Sequence, residues 1–484
     1  MAETDPLVSF AAPSDTRLHV HGSKYSTVNQ NPQTRSLKKG TDKQEGAQHE
    51  AYPARWFILA VFSLLCALQA ATWNTWGPIA DTVKVVLNWT DSDIALLTNW
   101  GPISFVITGF LFSYLLLVKG LRYCVLCSSL IFLLGLGIRC LPVGIDNLKW
   151  TMNAGHVCIG IAGPVMMSAP TEVSAVWFPP HQRTTSTAIS TTAAFLGMSA
   201  SFLVGPLIVT SIPQNSSTEP LDPDERTRSF SEIMGLMYIE CGVTAVVVVA
   251  TLLYFPEKPP TSPSLSATRP RDSFKDGALK MIKSAQFWIT AAAYSISSGV
   301  YGGWSTQQDT IFKTTLDIGQ DTVGWIGFIS NIAGMLAGLV IARLVDLLGG
   351  RMKAVLILLT AGAFIGCVWC VLLSMRYIPY SLMSVYITCI IIGVCVNASP
   401  PIFFEITVEG MYPVSEGNTT MVLTYLNNVA ALIFLALPLI PNIGVIWMNW
   451  LLLGAIAVCI PLLMMYKEHY NRLDEDKMES SIQN

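Results

Sequence analysis

Several carboxylates of this 484-residue chain lie in otherwise apolar stretches, where an ionised side chain is costly to place. Glu240 lies deepest in its stretch, whereas Glu172 and Glu405 lie nearer the ends of theirs. A carboxyl group that alternates between its protonated and ionised forms is what coupling to protons requires. We therefore predict Glu240, Glu172 and Glu405 as proton-coupling residues, with a fixed ion pair closing a gate or a helix-end acid as the alternative.

Aromatic and amide side chains form a second candidate set, in the segments WNTWGPI (73–79), NWGPI (99–103) and YGGWSTQQ (301–308). Gly-Pro favours a break in a helix, and rings beside amides suit a small, flat, polar substrate through stacking and hydrogen bonds. The alternatives are interfacial anchoring for the tryptophans and helix–helix hydrogen bonding for the amides. The predicted substrate-binding residues are Trp73, Asn74, Trp76, Trp100, Tyr301, Trp304, Gln307, Asn331 and Asn428.

Composition restricts the elements that must position these residues. Only 13% of the residues are charged and the mean hydropathy is +0.49, whereas a soluble domain is about 25% charged. About half of the charges lie in three polar segments, 1–54, 256–285 and 467–484. The rest of the chain cannot keep a soluble surface wet. The composition excludes a secreted disulfide scaffold, a nucleic-acid binder and an ordinary cytosolic enzyme, and it indicates a multi-pass protein of the lipid bilayer.

Twelve apolar stretches are long enough to be transmembrane helices. Placing both termini in the cytoplasm puts 22 of the 29 Lys and Arg residues on the cytoplasmic side, as the positive-inside rule expects. The prediction is an all-α membrane protein, N-in and C-in. The predicted spans are 55–79, 93–118, 122–143, 151–177, 185–211, 233–255, 286–311, 323–345, 353–374, 380–403, 419–440 and 444–466.

A Pro- and Ser-rich linker at 256–285 divides the spans into two six-helix halves, 55–255 and 286–466, with cytoplasmic tails at 1–54 and 467–484. This layout resembles the fold of the major facilitator superfamily. The segment ARLVDLLGGR at 342–351 resembles the loop motif of that superfamily, in which an acid and an arginine bridge helices. Asp346 and Arg351 are therefore the predicted gating residues.

Motifs for enzymatic chemistry are missing from the sequence. It contains no Gly-rich phosphate loop, no GxSxG and no HExxH motif, and only His156 of the six histidines lies in a predicted span. We expect no enzyme, no cofactor and no bound metal. Two sequons, at Asn88 and Asn215, lie in predicted non-cytoplasmic loops and are the expected glycosylation sites.

Short segments along the whole chain after the N-terminal tail resemble solute carrier family 49. The segments are WNTWGPI, DIALLTNWGPI, GIAGPVMMSAP, AVWF, FLVGPLIV, YFPEKPP, GWIGF, PIFFEITVEGMYP and YNRL. The resemblance implies a secondary transporter of the lysosomal membrane that exports vitamin B6, such as pyridoxine, together with protons. It also implies an acidic dileucine signal for sorting adaptors in the N-terminal tail, for which Glu3, Leu7 and Val8 are the nearest match. Because Val8 departs from that pattern, the plasma membrane is the alternative location.

Other members of the family suggest a choline, ethanolamine or haem carrier as the alternative function. The resemblance places a tryptophan after Gln69 and a glutamine at position 163 in choline carriers, but this chain has Ala70 and Gly163. Haem favours His, Tyr or Cys ligands, and His156 and scattered cysteines are the available ones. A membrane sensor or receptor that does not transport is the alternative from another class, and its expected signature is a long signalling tail.

Overall fold

The computed structural model describes residues 52–210, 222–348, 350–440 and 443–483, and the regular elements in these ranges are helices. A short 3₁₀ turn, Pro180–Gln182, precedes the seventh helix. The helices before the linker are α1 (Ala54–Trp73), α2 (Ala80–Leu87), α3 (Asp91–Lys119), α4 (Leu121–Arg139), α5 (Ile145–Ser168), α6 (Pro170–Trp177), α7 (Arg183–Ile208) and α8 (Pro223–Leu253).

The linker contains two short helices, α9 (Leu265–Thr268) and α10 (Phe274–Lys283). A 3₁₀ turn, Leu437–Leu439, follows the seventh of the helices beyond it. These helices are α11 (Ala285–Thr306), α12 (Gln308–Leu316), α13 (Gln320–Leu348), α14 (Met352–Ser374), α15 (Leu382–Asn397), α16 (Pro400–Met411), α17 (Glu416–Ala436), α18 (Ile446–Met465) and α19 (Asn471–Gln483).

The helices occupy the twelve predicted spans. Within the described residues, ten spans are long and apolar enough to cross a membrane, and α5 with α6, bent by 42°, forms an eleventh. The less apolar α11 occupies the remaining predicted span, continued by α12. Apolar side chains such as Ile107, Val246 and Leu358 are at least 70% exposed on the outer faces, which is the surface that lipid tails cover.

Proline sets matching breaks in the fourth span of each half. Pro170 begins α6 directly after Ala169, and Pro400 begins α16 after Ser399. Proline lacks the N–H that would continue the preceding helix, but it suits the first turn of a new one. The Gly-Pro prediction holds at 77–78, where residues 74–79 separate α1 from α2. It is wrong at 101–102, because α3 continues through Pro102, as helices packed among neighbours can.

Glycine allows the first and fifth spans of each half to pack closely. A Cβ atom at Gly197 of α7 would lie 1.9 Å from the carbonyl oxygen of Ala67 in α1. A Cβ atom at Gly299 of α11 would lie 2.7 Å from the carbonyl oxygen of Asn427 in α17. Both halves therefore bring their first span against a polar fifth span, and α1, α11 and α17 carry the predicted substrate residues Trp73, Tyr301, Trp304 and Asn428.

The two halves pack against each other mainly through α7 with α13 and α3 with α17. Successive spans alternate in direction, so that one side of the bundle holds the linker, the 178–182 turn and α19. We call this side the linker face and the other side, with residues 74–90 and 306–319, the opposite face.

Candidate functional site

The interruption of the first span holds Trp73 and Asn74 at fixed positions. The Trp73 indole N–H donates to the carbonyl oxygen of Thr98 in α3, and its ring lies against Gly101 of the same helix. The Asn74 amide donates to the Ser201 hydroxyl of α7 at 2.8 Å. Trp73 and Asn74 are both only partly buried. The structure therefore leaves an aromatic ring and an amide partly accessible at the end of α1.

Trp76, three residues beyond the end of α1, is fully buried instead of accessible. Its indole N–H donates to Nε2 of His156 at 3.2 Å, and Nδ1 of that histidine lies 3.0 Å from the carbonyl oxygen of Met152. These two contacts are satisfied by a neutral imidazole with its proton on Nδ1. In this conformation Trp76 is held by His156 and anchors the interruption. Trp100 is also bonded, through Nε1 to Oδ1 of Asn153 at 2.8 Å.

Glu240 lies behind the same interruption in a buried ion pair. Its carboxylate lies 3.1 Å from the guanidinium of Arg139, which is fully buried, and accepts a hydrogen bond from the hydroxyl of Thr75. The Arg139 guanidinium also lies 5.6 Å from the Trp76 ring, a cation–π distance. The predicted residue Glu240 therefore has one cationic partner, Arg139. It also accepts a hydrogen bond from Thr75, the residue that follows Asn74.

The interruption of the seventh span repeats this arrangement with neutral groups. Trp304 is fully buried, and its indole N–H donates to Oδ1 of Asn449 at 2.7 Å. The Asn449 amide in turn donates to the Ser374 hydroxyl at 3.0 Å. Tyr301 stacks on Trp304, with ring centroids 6.1 Å apart. Gln307, the residue between α11 and α12, is partly buried.

An amide cluster lies beside Tyr301 in the C-terminal half. The Asn397 amide of α15 donates to Oδ1 of Asn331 at 3.2 Å and lies 3.5 Å from the Tyr301 hydroxyl. In α17 the Asn428 amide donates to the Thr424 carbonyl oxygen at 2.8 Å, whereas Oδ1 of Asn427 is buried without a hydrogen-bond partner. A buried acceptor without a partner is costly, so Asn427 marks a place where a donor on a ligand would be favoured.

Glu172 and Glu405 lie at the linker face and join the two halves. Glu172 of α6 accepts the backbone N–H of Gly417, at the start of α17, at 2.9 Å. Glu405 of α16 accepts the Thr187 hydroxyl of α7 at 2.7 Å. Both carboxylates are therefore parts of a closed contact between the halves, which is the alternative that the sequence left open for them.

Asp346 makes the reciprocal contact from the C-terminal half. Its carboxylate accepts the backbone N–H groups of Thr184 and Thr185 at 3.0 and 2.7 Å, at the start of α7. Each half thus supplies a carboxylate to the positive N-terminus of a helix in the other half, where the helix dipole favours a negative charge. Arg351, the other predicted gating residue, is exposed.

Arg472 of α19 is the centre of the linker-face charge cluster, although it lies outside every span. Its guanidinium is 1% exposed and lies 2.6 Å from Glu405, 2.8 Å from Glu409 and 3.6 Å from Glu416. One turn further along α19, Asp476 lies 3.0 Å from Arg183 of α7. The C-terminal helix therefore ties both halves together.

The linker contributes Arg271 to the same cluster. Its guanidinium makes two hydrogen bonds to the Glu416 carboxylate, at 2.9 and 2.7 Å. Burial alone would lower the pKa of Arg271, but the contact with Glu416 more than offsets this effect, and the pKa is raised. Arg271 therefore stays charged at every physiological pH.

The remaining predicted sites lie at the surface or outside the residues that the structure describes. Asn88 is exposed and ends α2 in a left-handed conformation, with φ of 55°. Asn215 lies outside the described residues, and so do Glu3, Leu7 and Val8.

Sequence reasoning missed Arg139, Thr75, Asn397 and Arg472 as members of these clusters. Arg139 carried a usable signal, because it is a cation near the end of a predicted span, as costly there as Glu240 is in its own. Arg472 carried none, because an arginine in a polar tail is ordinarily solvated.

The contact between Trp73 and Gly101 provides a test of the aromatic site that leaves Trp73 in place. A Cβ atom at Gly101 would lie 2.3 Å from the Trp73 ring, so Gly101→Val should displace the ring. We expect substrate uptake to fall about tenfold, the worth of one lost stacking contact, measured with purified protein in liposomes. The matched control is Gly302→Ala in α11, where a Cβ atom meets nothing within 4 Å. Unchanged uptake by Gly101→Val would remove Trp73 from the site.

Comparison with known proteins defines the class. A model of the Major Facilitator Superfamily matches residues 61–436. Among solved structures, the fucose:proton symporter FucP of Escherichia coli superposes with a TM-score of 0.64 at 12% identity, over 85% of this chain and 99% of that one. The proton:xylose symporter XylE gives 0.66 at 13% identity, over 87% and 98%. The chain belongs to the Major Facilitator Superfamily of transporters, which confirms the predicted fold class.

Sequence relatives define the family within that class. The "Solute carrier family 49 member 4 homolog" of Xenopus tropicalis is 37% identical over 423 residues, 87% of this chain and 92% of the relative. The choline/ethanolamine transporter FLVCR1 of Mus musculus is 25% identical over 391 residues, 79% of this chain and 69% of the relative. The chain belongs to solute carrier family 49, as its motifs indicated. The superfamily to which this family belongs is a class of transporters.

Proposed function

We propose that the protein is a proton-coupled secondary transporter that moves a small organic nutrient, vitamin B6 in the form of pyridoxine, out of the lysosome. The observation that carries the coupling is the buried Glu240–Arg139 pair, whose carboxylate also holds the interruption next to Trp73 and Asn74. A carboxyl that can take up a proton there changes the charge beside the substrate residues. The two fold neighbours described above are themselves proton symporters.

Two aromatic rings and several amides support a flat polar substrate. Trp73 supplies a partly accessible ring in the N-terminal half, Tyr301 is its buried counterpart stacked on Trp304 in the C-terminal half, and Asn427 supplies an acceptor without a partner. Pyridoxine is a pyridine ring with hydroxyl groups, so that it can stack and donate hydrogen bonds together. We assign Asn74, Gln307, Asn331 and Asn428 to the same path, whereas Trp76, Trp100 and Trp304 support it through their own hydrogen bonds.

The proposed orientation places the linker face in the cytoplasm and the opposite face in the lysosomal lumen. The excess of Lys and Arg on the linker side supports this orientation. The tails 1–54 and 467–484 and the linker 256–285 are then cytoplasmic, between halves 55–255 and 286–466. Asn88 and Asn215 face the lumen, where glycans are found, and the N-terminal tail is accessible to sorting adaptors.

Transport then follows from alternating access between the halves. Contacts through Asp346, Glu172 and Glu405 close the linker face in the present conformation. Acid in the lumen protonates Glu240, and substrate binds from the same side. The halves then rock about the site, the cytoplasmic contacts separate, and the neutral cytoplasm removes the proton. The proton gradient, from the acidic lumen to the neutral cytoplasm, drives net transport of substrate out of the lysosome.

A choline or ethanolamine carrier is the second candidate, because a relative is named for that transport. The region around Gln69 bears on this candidate. A Cβ atom at Gly163 would lie 3.3 Å from the Gln69 amide nitrogen, so the two positions face each other in the N-terminal half. No side chain at 163 closes over Gln69, which leaves a quaternary ammonium less enclosed. His156 is bonded to Trp76 and fully buried, which disfavours its use as a haem ligand.

The test is flux of radiolabelled pyridoxine into proteoliposomes that contain the full chain, with and without an imposed pH gradient. We expect uptake to be driven by a gradient that moves protons in the same direction, and to collapse when a protonophore is added. Choline is assayed in the same vesicles. Choline flux without pyridoxine flux would establish the second candidate, and no flux of either would favour a non-transporting sensor.

A further inference from the structure

The interruption of the first span is attached to the rest of the N-terminal half one residue at a time. Asn74 donates to Ser201 of α7, Thr75 donates to Glu240 of α8, and Trp76 donates to His156 of α5. Three consecutive residues therefore contact three different helices. Two of these attachments end on groups that can change their charge, Glu240 and His156, and of the two Glu240 is the one that lies in an ion pair, with Arg139.

The surroundings of Glu240 leave Arg139 as its dominant charged partner. The side chain of Glu240 is 14% exposed and that of Arg139 is fully buried. From α4 Cys140 also lies near the pair, from α8 itself Cys241, and from α5 His156, which faces Arg139. Asp81 and Lys84 of α2 pair with each other at 3.2 Å. Beyond Arg183 at the linker face, α7 has no ionisable side chain.

The equivalent interruption in the C-terminal half anchors its tryptophan with neutral groups, although the acid Asp309 lies two residues beyond Gln307 and its Oδ1 is buried without a hydrogen-bond partner. Trp304 is anchored by Asn449 and, through it, by Ser374. An amide and a hydroxyl thus anchor that tryptophan, where the N-terminal half uses a histidine beside an ion pair. A purely structural anchor is satisfied by the neutral version. The ionisable version in one half therefore points to a function that uses its charge.

We propose that Thr75 is a positioning residue that transmits the protonation state of Glu240 to Trp73 and Asn74. This inference rests on the proposed proton coupling at Glu240. A hydrogen bond to an ionised carboxylate is roughly twice as strong as one to a neutral acceptor. When Glu240 takes up a proton, its attraction to Arg139 is lost and its bond from Thr75 weakens. Residues 74–79 are then released from α8, and Trp73 and Asn74 can adjust to the substrate.

The first measurement needs no substrate. Hydrogen–deuterium exchange of a peptide covering residues 74–79 is recorded at pH 5 and pH 7 on the full chain, corrected for the intrinsic pH dependence of exchange. We expect protection to fall about tenfold at the lower pH, the scale of one charge-dependent hydrogen bond. In Thr75→Val, which keeps the shape and removes the hydroxyl, protection should be low at both pH values. Thr75→Ser keeps the donor and should behave as the parent does.

The second measurement is the pH profile of pyridoxine uptake by the same variants. In the parent, KM should change by up to about tenfold per pH unit, the limit for one linked proton, with tighter binding at lower pH. Thr75→Val should flatten this profile to less than about twofold, whereas a merely structural role would lower uptake at every pH alike. Ser374→Ala, the matched loss of a hydroxyl in the C-terminal half, should keep the profile of the parent.

Failure of this inference can be told apart from failure of the proposed function. If Glu240→Gln flattens both profiles and Thr75→Val flattens neither, Glu240 couples protons without Thr75 and the inference is overturned. If Glu240→Gln also keeps both profiles, the coupling itself is assigned to the wrong residue. Loss of pH-dependent exchange in Thr75→Val and its recovery in Thr75→Ser are the results that support the inference.

Discussion

Replacing Arg472 with glutamine is expected to lower the stability of the protein and to open its linker face. Arg472 is the buried cation between Glu405, Glu409 and Glu416. Removing one partner of a buried ion pair costs about 3–5 kcal/mol, because the remaining charge is left without compensation. Here more than one carboxylate loses its partner. The measurement is the melting temperature of the purified protein in detergent, together with thiol labelling of a cysteine introduced at Ser113, beside the contact with Asn418.

Two further variants separate charge from folding. Arg351→Gln removes an exposed arginine of the same face and should change neither the melting temperature nor the labelling. Adding Glu405→Gln and Glu409→Gln to Arg472→Gln removes two of the uncompensated charges and should recover much of the lost stability. If Arg472→Gln alone has the melting temperature and the thiol labelling of the parent, α19 does not keep the linker face closed.

Replacing Glu240 with glutamine is expected to abolish accumulation of substrate against its gradient while leaving downhill exchange. Glutamine keeps the acceptor for Thr75 but cannot gain or lose a proton. Without a linked proton, a pH gradient no longer drives uptake, so the accumulation of up to about tenfold per pH unit should fall to the level without a gradient. The measurement is pyridoxine uptake in proteoliposomes at a series of imposed gradients, beside counterflow exchange with no gradient.

The buried position of Arg139 complicates this variant and also provides its control. Glu240→Gln leaves the Arg139 charge uncompensated, so a double variant with Arg139→Gln tests whether any loss reflects folding. Glu225→Gln removes an exposed carboxylate at the start of the same helix and should behave as the parent does. Full gradient-driven accumulation by a well-folded Glu240→Gln would show that another group couples the proton.

Local sequence was enough for the spans and for several of the breaks within them. A long run of apolar residues is placed in the bilayer whatever helices it packs against, because its side chains are more stable out of water. Pro170 and Pro400 begin new helices because the proline ring cannot continue an old one. Pro102 shows the limit of that reasoning, since α3 continues through it, and the outcome depends on neighbours that donate to the freed carbonyl group, as Trp73 does to that of Thr98.

The candidate site was predicted by residue type better than by arrangement. The three predicted carboxylates proved to be partnered, and the sequence separated Glu240 from Glu172 and Glu405 only by its depth. All three share the same cost of burial, and their roles differ by what faces them. Arg139 faces Glu240 from another helix, whereas helix N-termini and Arg472 face the other two. A partner 63 or more residues away leaves no local pattern.

By itself, the sequence determined that this protein crosses the bilayer in two six-helix halves, and its motifs determined its family. These are properties of composition and of short segments, since the transfer of each apolar stretch into lipid is decided within that stretch. The tertiary structure alone decided which charges pair, which tryptophans are buried anchors, and that the C-terminal helix closes the linker face. Ion pairs and hydrogen bonds act over a few ångströms, so they depend on the packing that brings distant residues together.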